Sequence, residues 1–344
     1  MSVKRFPFGT TADGRQIERY EIRNGDLTVS VLTYGATLQS AVYRGVDVVL
    51  GYDDGESYQN SGCSFGSTVG RVANRIKGDR ITVAGQDYAI AANDHGKNHL
   101  HGGVRGFGSR LWSAEIHADE EAVTLRRTSP DGEEGYPGTL SLSVTFAVTG
   151  DSRLRITYKA VSTADTLLNL TNHAYFNLEG HDGPSVRDHL LQVEAEQITV
   201  SDAELIPTGE LLAVEDTPFD FREPKPIGRD IDAPHPLLQN AGGYDHNFVL
   251  GTDGAFRRAA TAQAPLSGIR MECWTDLPGV QLYTANFLNE PHCKGGVSRG
   301  KGDGFCLETQ HWPDAVHHPH FPSIALAAGE VFRSKTEYRF FGKN

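Results

Sequence analysis

Residues 140–158 read Leu140-Ser-Leu-Ser-Val-Thr-Phe-Ala-Val-Thr-Gly150-Asp151-Ser-Arg-Leu-Arg-Ile-Thr-Tyr158. Leu142, Val144, Phe146 and Val148 alternate with small or polar residues, the period of a strand that buries one face. Gly150-Asp151 interrupts the run as a turn, and Leu154, Ile156 and Tyr158 resume the alternation. The stretch therefore predicts a β-hairpin. Outward from it, similar short runs occur at 27–31, 80–90, 122–127, 190–200, 268–273, 281–285 and 330–340, separated by Gly, Pro, Asn or Asp. No long stretch sustains a helical period. The pattern predicts an all-β chain, built as a large antiparallel sandwich or barrel.

The chain has 344 residues, long for one average domain, yet all-β units often reach such sizes. We read 1–344 as a single domain. The proline-rich segment 218–236 holds Pro218, Pro224, Pro226, Pro234 and Pro236, with Pro207 upstream. It could be a linker, but Phe219, Phe221 and the interleaved charges fit an ordered surface loop at least as well.

Apolar residues make up 38% of the chain and are joined by 38 glycines, enough to form a sizeable core. Lys and Arg number 32 against 44 Asp and Glu, a net charge of −12. A field of that sign repels phosphate backbones and anionic lipid, which argues against nucleic-acid and membrane partners. No apolar run approaches the ~18 residues of a spanning helix. Residues 1–10 carry Lys4-Arg5 with no apolar stretch behind, so no secretory signal is expected. Cys63, Cys273, Cys293 and Cys306 form no C-x-x-C pair and read as reduced thiols of a cytoplasmic protein. The sequon Asn169-Leu170-Thr171 lies in an apolar run and is discounted.

Two motifs fail on inspection. Gly295-Gly-Val-Ser-Arg-Gly-Lys301 resembles a phosphate loop, but Gly302 stands where a magnesium-binding hydroxyl is needed, so a flexible glycine loop is expected. His311, His317, His318 and His320 are interleaved with Pro313, Pro319 and Pro322, which favour a rigid loop over a metal cage.

Five polar clusters adjoin strand-like runs and carry the candidate chemistry. They are Gly70-Arg-Val-Ala-Asn74-Arg75-Ile76, Asn98-His-Leu-His101-Gly-Gly103, Leu170-Thr-Asn-His173-Ala-Tyr175-Phe-Asn-Leu178, Gly243-Tyr-Asp245-His-Asn-Phe248 and Phe305-Cys-Leu-Glu308-Thr-Gln310. Glu308, flanked by Phe305, Leu307 and Trp312, is either a salt-bridged carboxylate at a strand end or a base whose pKa is raised in an apolar pocket. His173 shares a strand face with Thr171 and Tyr175, as a satisfied core histidine or a proton carrier near neutral pH. Asn74 and Arg75 offer planar donors suited to hydroxyls or carboxylates, or close a structural turn. His101 precedes a glycine pair that would let a ligand approach the backbone. Asp245 is a hydroxyl acceptor beside an aromatic ring, or an Asx-turn residue. Taken jointly, the mixture of amide, carboxylate, imidazole and aromatic groups fits a polyhydroxylated ligand and acid–base chemistry.

Together with 281–286, these clusters resemble the aldose 1-epimerases, or galactose mutarotases, over nearly the whole chain. The resemblance implies a large antiparallel β-supersandwich of roughly thirty strands. It also implies interconversion of the α and β anomers of free aldoses such as galactose and glucose, with no cofactor or metal. The partner would be a monosaccharide, bound by a monomer or homodimer. Residue by residue, it implies Glu308 as general base and His173 as general acid. Asn74, Arg75, His101, Asp245 and Gln281 would hold the sugar. In that scheme Glu308 starts as a carboxylate and His173 as an imidazolium. Two competing readings remain: a glycosidase using Glu308 and Asp245 as its carboxylate pair, and a non-catalytic sugar-binding protein on the same fold.

Overall fold

The computed structural model describes residues 2–342; the outermost positions of the 1–344 unit, 1 and 343–344, lie outside the described residues. Twenty-nine strands and only two α-helices, Gly55–Asn60 and Pro236–Ala241, form the described chain. The predicted hairpin is its spine. Strand Leu140–Thr149 pairs with Arg153–Ser162 in the register Val148↔Leu154, and Ser152 turns the corner at φ +57°. This pair sits inside a nine-stranded antiparallel sheet, followed by Val331–Gly342 and then Ile269–Thr275. Leu142, Val144, Phe146, Leu154, Ile156 and Tyr158 are all buried in the main core, as their period requires.

A second sheet of five strands packs against this one. Its order is Pro207–Ala213, Gln197–Ser201, Asp245–Val249, Gly279–Tyr283, Cys306–Gln310. Phe248, Val280, Leu282 and Leu307 point from it into the shared core. The Tyr338 hydroxyl of the long C-terminal strand donates to the Leu307 carbonyl at 2.9 Å, and the Thr309 and Thr336 hydroxyls bond at 2.5 Å. Alternation then leaves Asp245, Gln281 and Glu308 on the sheet's other face. A third sheet, the N-terminal five-stranded meander from Ser2–Thr10 to Val46–Asp47, adds Ile22, Val29 and Leu38 to the same core. The antiparallel sandwich architecture is as expected from the sequence.

Three readings need refinement. The run 80–90 is a tight hairpin, Arg80–Val83 with Gln86–Ala89, turned at Ala84 and Gly85 with positive φ. The run 190–200 divides into Leu190–Val193 and Gln197–Ser201, which belong to different sheets. The proline-rich segment is not merely a surface loop. Phe219 and Phe221 are buried in the core, and the buried Lys225 ammonium ties the segment together through the Pro218 carbonyl at 2.6 Å and Asp230 at 2.8 Å. Gly295 and Gly296 form a turn leading to Arg299–Gly300, which pairs with Asn289–Glu290. Among the described residues no helix is long and apolar enough to cross a membrane.

Candidate functional site

Six of the seven predicted site residues line one hollow of about 370 Å³: Asn74, Arg75, His101, His173, Asp245 and Glu308. A larger hollow of about 1340 Å³ contains none of them. The five-stranded sheet supplies the floor. Gln281 faces Glu308 directly in the ladder, and Asp245 lies on the same face one strand over, opposite Tyr283. Gln281 does not itself line the hollow. Its amide Nε2 donates to Asp245 Oδ1 at 2.7 Å, and its Oε1 accepts from Gln310 Nε2 at 3.1 Å, so it fixes the Asp245 carboxylate.

The walls are loops pinned by structural polar groups. His173 follows the short strand Thr171–Asn172, and its backbone bonds both ways, N to Ser67 O and O from Gly66 N, each at 2.9 Å. Its ring stacks on Tyr175 at 5.0 Å and meets Tyr283 edge-on at 6.1 Å. His173 and Tyr175 share the hollow as expected, whereas Thr171 does not line it.

Asn74 and His101 clasp each other. His101 N donates to Asn74 O at 3.0 Å, and Asn74 N donates to His101 Nδ1 at 3.1 Å. Both have positive φ. Arg75 Nε donates to Asp94 Oδ2 at 2.9 Å, and its Nη1 lies 3.6 Å from Asp245 Oδ2. The glycines after His101 serve a purpose other than the one the sequence suggested. A Cβ on Gly102 would stand 2.0 Å from the Gly70 carbonyl oxygen and one on Gly103 would stand 2.2 Å from Glu134 Oε2, so the pair admits the Gly70 backbone and the Glu134 side chain and not a ligand.

Several polar residues of the clusters are structural. The buried Arg71 guanidinium donates to the Pro137 carbonyl at 2.7 Å and to Ser129 Oγ at 2.9 Å. His99 is bonded to the Tyr136 hydroxyl at 2.7 Å, Asn172 donates to Gly66 O, and Asn177 donates to Pro184 O and Asp303 O. His317 is bonded to Asp314, His318 to Pro207 O and His320 to Gly209 O, a loop fastened through its histidines.

Glu308 is 2% exposed, and its Oε2 has no hydrogen-bond partner. His173 Nε2 lies 3.6 Å away, too far for a hydrogen bond. Burial, reinforced by the Asp245 charge and opposed by Arg75, raises the Glu308 pKa well above the carboxyl range. Burial lowers His173 to about 4, against its own backbone and Asp245. His101 is also pushed well below its ordinary value, by burial first and then by His173, Arg75 and His99. For Arg75, burial works against the charge, but Asp245 and Asp94 overcome it and raise the pKa. Both shifts thus favour the neutral forms, a protonated Glu308 and an unprotonated His173. That is the reverse of the starting carboxylate and imidazolium implied by the resemblance. The pair carries one proton either way.

His101, His173 and Glu308 present ligand atoms within 4.8 Å of one another, as a metal site would. The His101 tautomer argues against that use. Its Nδ1 accepts from Asn74 N, so the neutral ring carries its proton on Nε2 and has no free lone pair for a cation. Two free donors fall short of the three protein ligands of a catalytic zinc site.

Some residues lining or bracing the hollow escaped the sequence reading. Tyr283 was recoverable, standing two residues beyond Gln281 on the same strand face. Cys306, whose Sγ lies 3.5 Å from His173 Nδ1, was likewise two before Glu308. Asp94, Cys63 and the segment from Phe287 to Glu290 gave no periodic signal.

Comparison with known proteins places this arrangement. The family model described as Aldose 1-epimerase matches residues 18–339. Galactose mutarotase of Bos taurus is 40% identical over 99% of each chain. Aldose 1-epimerase of Escherichia coli K12 is 34% identical, over 96% of this chain and 97% of its own. Among solved structures, a GalM/aldose epimerase homologue from C. elegans has a TM-score of 0.85 at 32% identity, covering 94% of this chain and 98% of its own. Galactose 1-epimerase from Lactobacillus acidophilus has a TM-score of 0.87 at 27% identity over 100% of both. With the fold, the hollow and these matches in agreement over almost its full length, the chain belongs to the aldose 1-epimerase family.

Proposed function

We propose that the protein interconverts the α and β anomers of free aldoses such as galactose and glucose, with Glu308 and His173 exchanging protons with the sugar. One observation carries this reading: a buried carboxyl oxygen without a partner stands 3.6 Å from an imidazole in a hollow of about 370 Å³. The glycosidase and non-catalytic readings are not favoured, because the relatives over the full chain are epimerases.

A cyclic aldose is a hemiacetal. Opening it requires loss of the O1 proton and gain of a proton at the ring oxygen, O5. Sugar hydroxyls entering the hollow donate to Glu308 Oε2, replacing the water that burial removed, and so favour its carboxylate. The pair's single proton then resides on His173. Glu308 takes the proton from O1, His173 delivers one to O5, and the C1–O5 bond breaks to leave an open aldehyde. Rotation about C1–C2 presents the other carbonyl face, and reclosure reverses both transfers. Each positioned proton carrier contributes about 10²–10⁴-fold. His101 offers its Nε2–H to the oxygen where charge develops. Asn74, Arg75 and Asp245 hold the ring while C1 turns, with Gln281 acting through Asp245.

The one-proton pair runs in either direction, so shifts that favour the neutral forms do not obstruct catalysis. The reading also treats the chain as one catalytic unit, a monomer or homodimer in the cytoplasm, taking only a neutral monosaccharide. The family match over 18–339 supports the single unit. Polarimetry of fresh α-galactose and α-glucose tests the activity. A rate equal to the uncatalysed one would reject it.

A further inference from the structure

Three acidic side chains line the catalytic hollow, Asp245, Glu290 and Glu308, against one guanidinium, Arg75; among the described residues no lysine and no second arginine lines it. Arg75 is already shared between Asp94 and Asp245. Glu290 stands apart from the acid–base machinery. Its Oε1 lies 3.3 Å from the Cys63 thiol and 3.4 Å from the Ser61 hydroxyl, both neutral donors. Burial and Glu290 itself push Cys63 up to about 12, so the thiol keeps its proton. The Glu290 backbone is fixed by pairing with Arg299. The Arg299 side chain is turned elsewhere, donating to Gly183 O at 2.7 Å and lying 3.8 Å from Asp303. A carboxylate is therefore held rigidly at the wall by groups that do not neutralise it.

We propose that Glu290 is a specificity determinant: its charge rejects aldoses bearing a carboxylate or phosphate and restricts the site to neutral sugars. This rests on the proposed mutarotase function and adds a residue that neither binds nor transfers protons in it. A like charge about 6 Å away, at an effective dielectric of about 40, lowers occupancy about tenfold.

The test compares kcat/KM for galacturonate with that for galactose, after subtraction of uncatalysed rates, in wild type, Glu290→Gln and Glu290→Asp. Using the ratio removes any general loss of activity. Glutamine keeps an oxygen acceptor for Cys63 and Ser61 while removing the charge. The ratio should rise about tenfold in Glu290→Gln, stay near wild type in Glu290→Asp, and rise in wild type with ionic strength as the repulsion is screened. An unchanged ratio in Glu290→Gln, or an equal rise in Glu290→Asp, overturns the proposal. Should Glu290→Gln not fold, a wild-type ratio insensitive to salt overturns it equally. Absence of galactose turnover in wild type would instead sink the mutarotase reading and this one with it. Galactose turnover with an unmoved ratio removes Glu290 alone.

Discussion

Replacing Glu308 by glutamine separates its chemical role from its cost to the fold. The amide keeps the volume and hydrogen-bonding capacity but cannot take a proton from O1. We expect kcat to fall by about 10²–10⁴, the contribution of one positioned base, which is about 3–5 kcal/mol of barrier. KM should move by only a few-fold, because Asn74, Arg75 and Asp245 remain. The same substitution has a second consequence, set by burial. In the native state the Glu308 pKa is raised, whereas the unfolded chain ionises near about 4.3. A raised native pKa gives stability that is fully present below the unfolded value and lost as pH rises towards the native one. Wild type should therefore lose stability with rising pH across that window from this group alone. Glu308→Gln has no such term, and the depressed His173 contributes to both proteins alike. Urea unfolding of the two at pH 5 and pH 7 should show the variant gaining on wild type as the pH rises. A stability difference independent of pH would refute the claim that the Glu308 carboxyl is held protonated by its surroundings. Unchanged polarimetric rates would refute its role as base.

Other outcomes follow from the same geometry. The pH profile of kcat/KM should be bell-shaped, because the active pair holds one proton: the acid limb falls near pH 4 as His173 gains a second, and the alkaline limb lies above the usual carboxyl range as Glu308 loses the last; an acid limb near 6.5 would contradict the buried histidine. Asp245→Ala should raise KM far more than it lowers kcat, and Gln281→Ala should do the same more weakly by releasing Asp245; a large loss of kcat at unaltered KM in steady-state kinetics would argue against binding roles. Gly102→Ala should destabilise by more than about 2 kcal/mol in denaturant titration, since its Cβ meets the Gly70 carbonyl at positive φ. Wild-type stability in that variant would remove the backbone-contact explanation.

The parts of this molecule legible in its sequence are those where one physical rule dominates. The 140–158 hairpin is such a case, since a strand with one dry face must alternate, and Gly150-Asp151 sits where the alternation stops. The rule failed at 80–90 and 190–200, where two short strands are joined by connections of only two or three residues, Ala84-Gly85 and Glu194-Ala195-Glu196. Ala84 takes a left-handed conformation that sequence does not announce, and residues 194–196 carry the chain between sheets. At the site, residue type gave the chemistry but not the division of labour. Arg71 and Arg75 are four residues apart in one cluster, yet one is a core pin and the other faces the hollow. Gln281 looked like a ligand residue, but the register turns its amide towards Asp245. Asp94 and Glu290, the latter in a two-residue strand, are ordinary acidic residues, whose importance exists only through the Arg75 and Cys63 groups that folding brings to them.

The sandwich explains why acid and base can be buried together without neutralising each other. Glu308 is fixed on a strand of the five-stranded sheet, and its backbone bonds are committed to the Gly279–Tyr283 strand. His173 hangs from a separate loop whose backbone is committed to Gly66 and Ser67. Their backbones are thus anchored independently, and their side chains stand 3.6 Å apart. A hydrogen-bonded ion pair would place the proton firmly on His173, but would also fill the space between the groups. Held short of contact, the pair instead keeps one buried proton and one unpartnered oxygen. Sugar hydroxyls are suited to satisfy both, so the desolvation that raises Glu308 also makes the carboxyl receptive to O1. By this reasoning a substitution that wets the hollow, such as Tyr175→Ala beneath the His173 ring, should bring both pKa values towards their solution positions. The alkaline limb of kcat/KM should then move down and the acid limb up, narrowing the bell from both sides. A bell that shifts as a whole would mean that a single outside charge, and not shared burial, sets the two values.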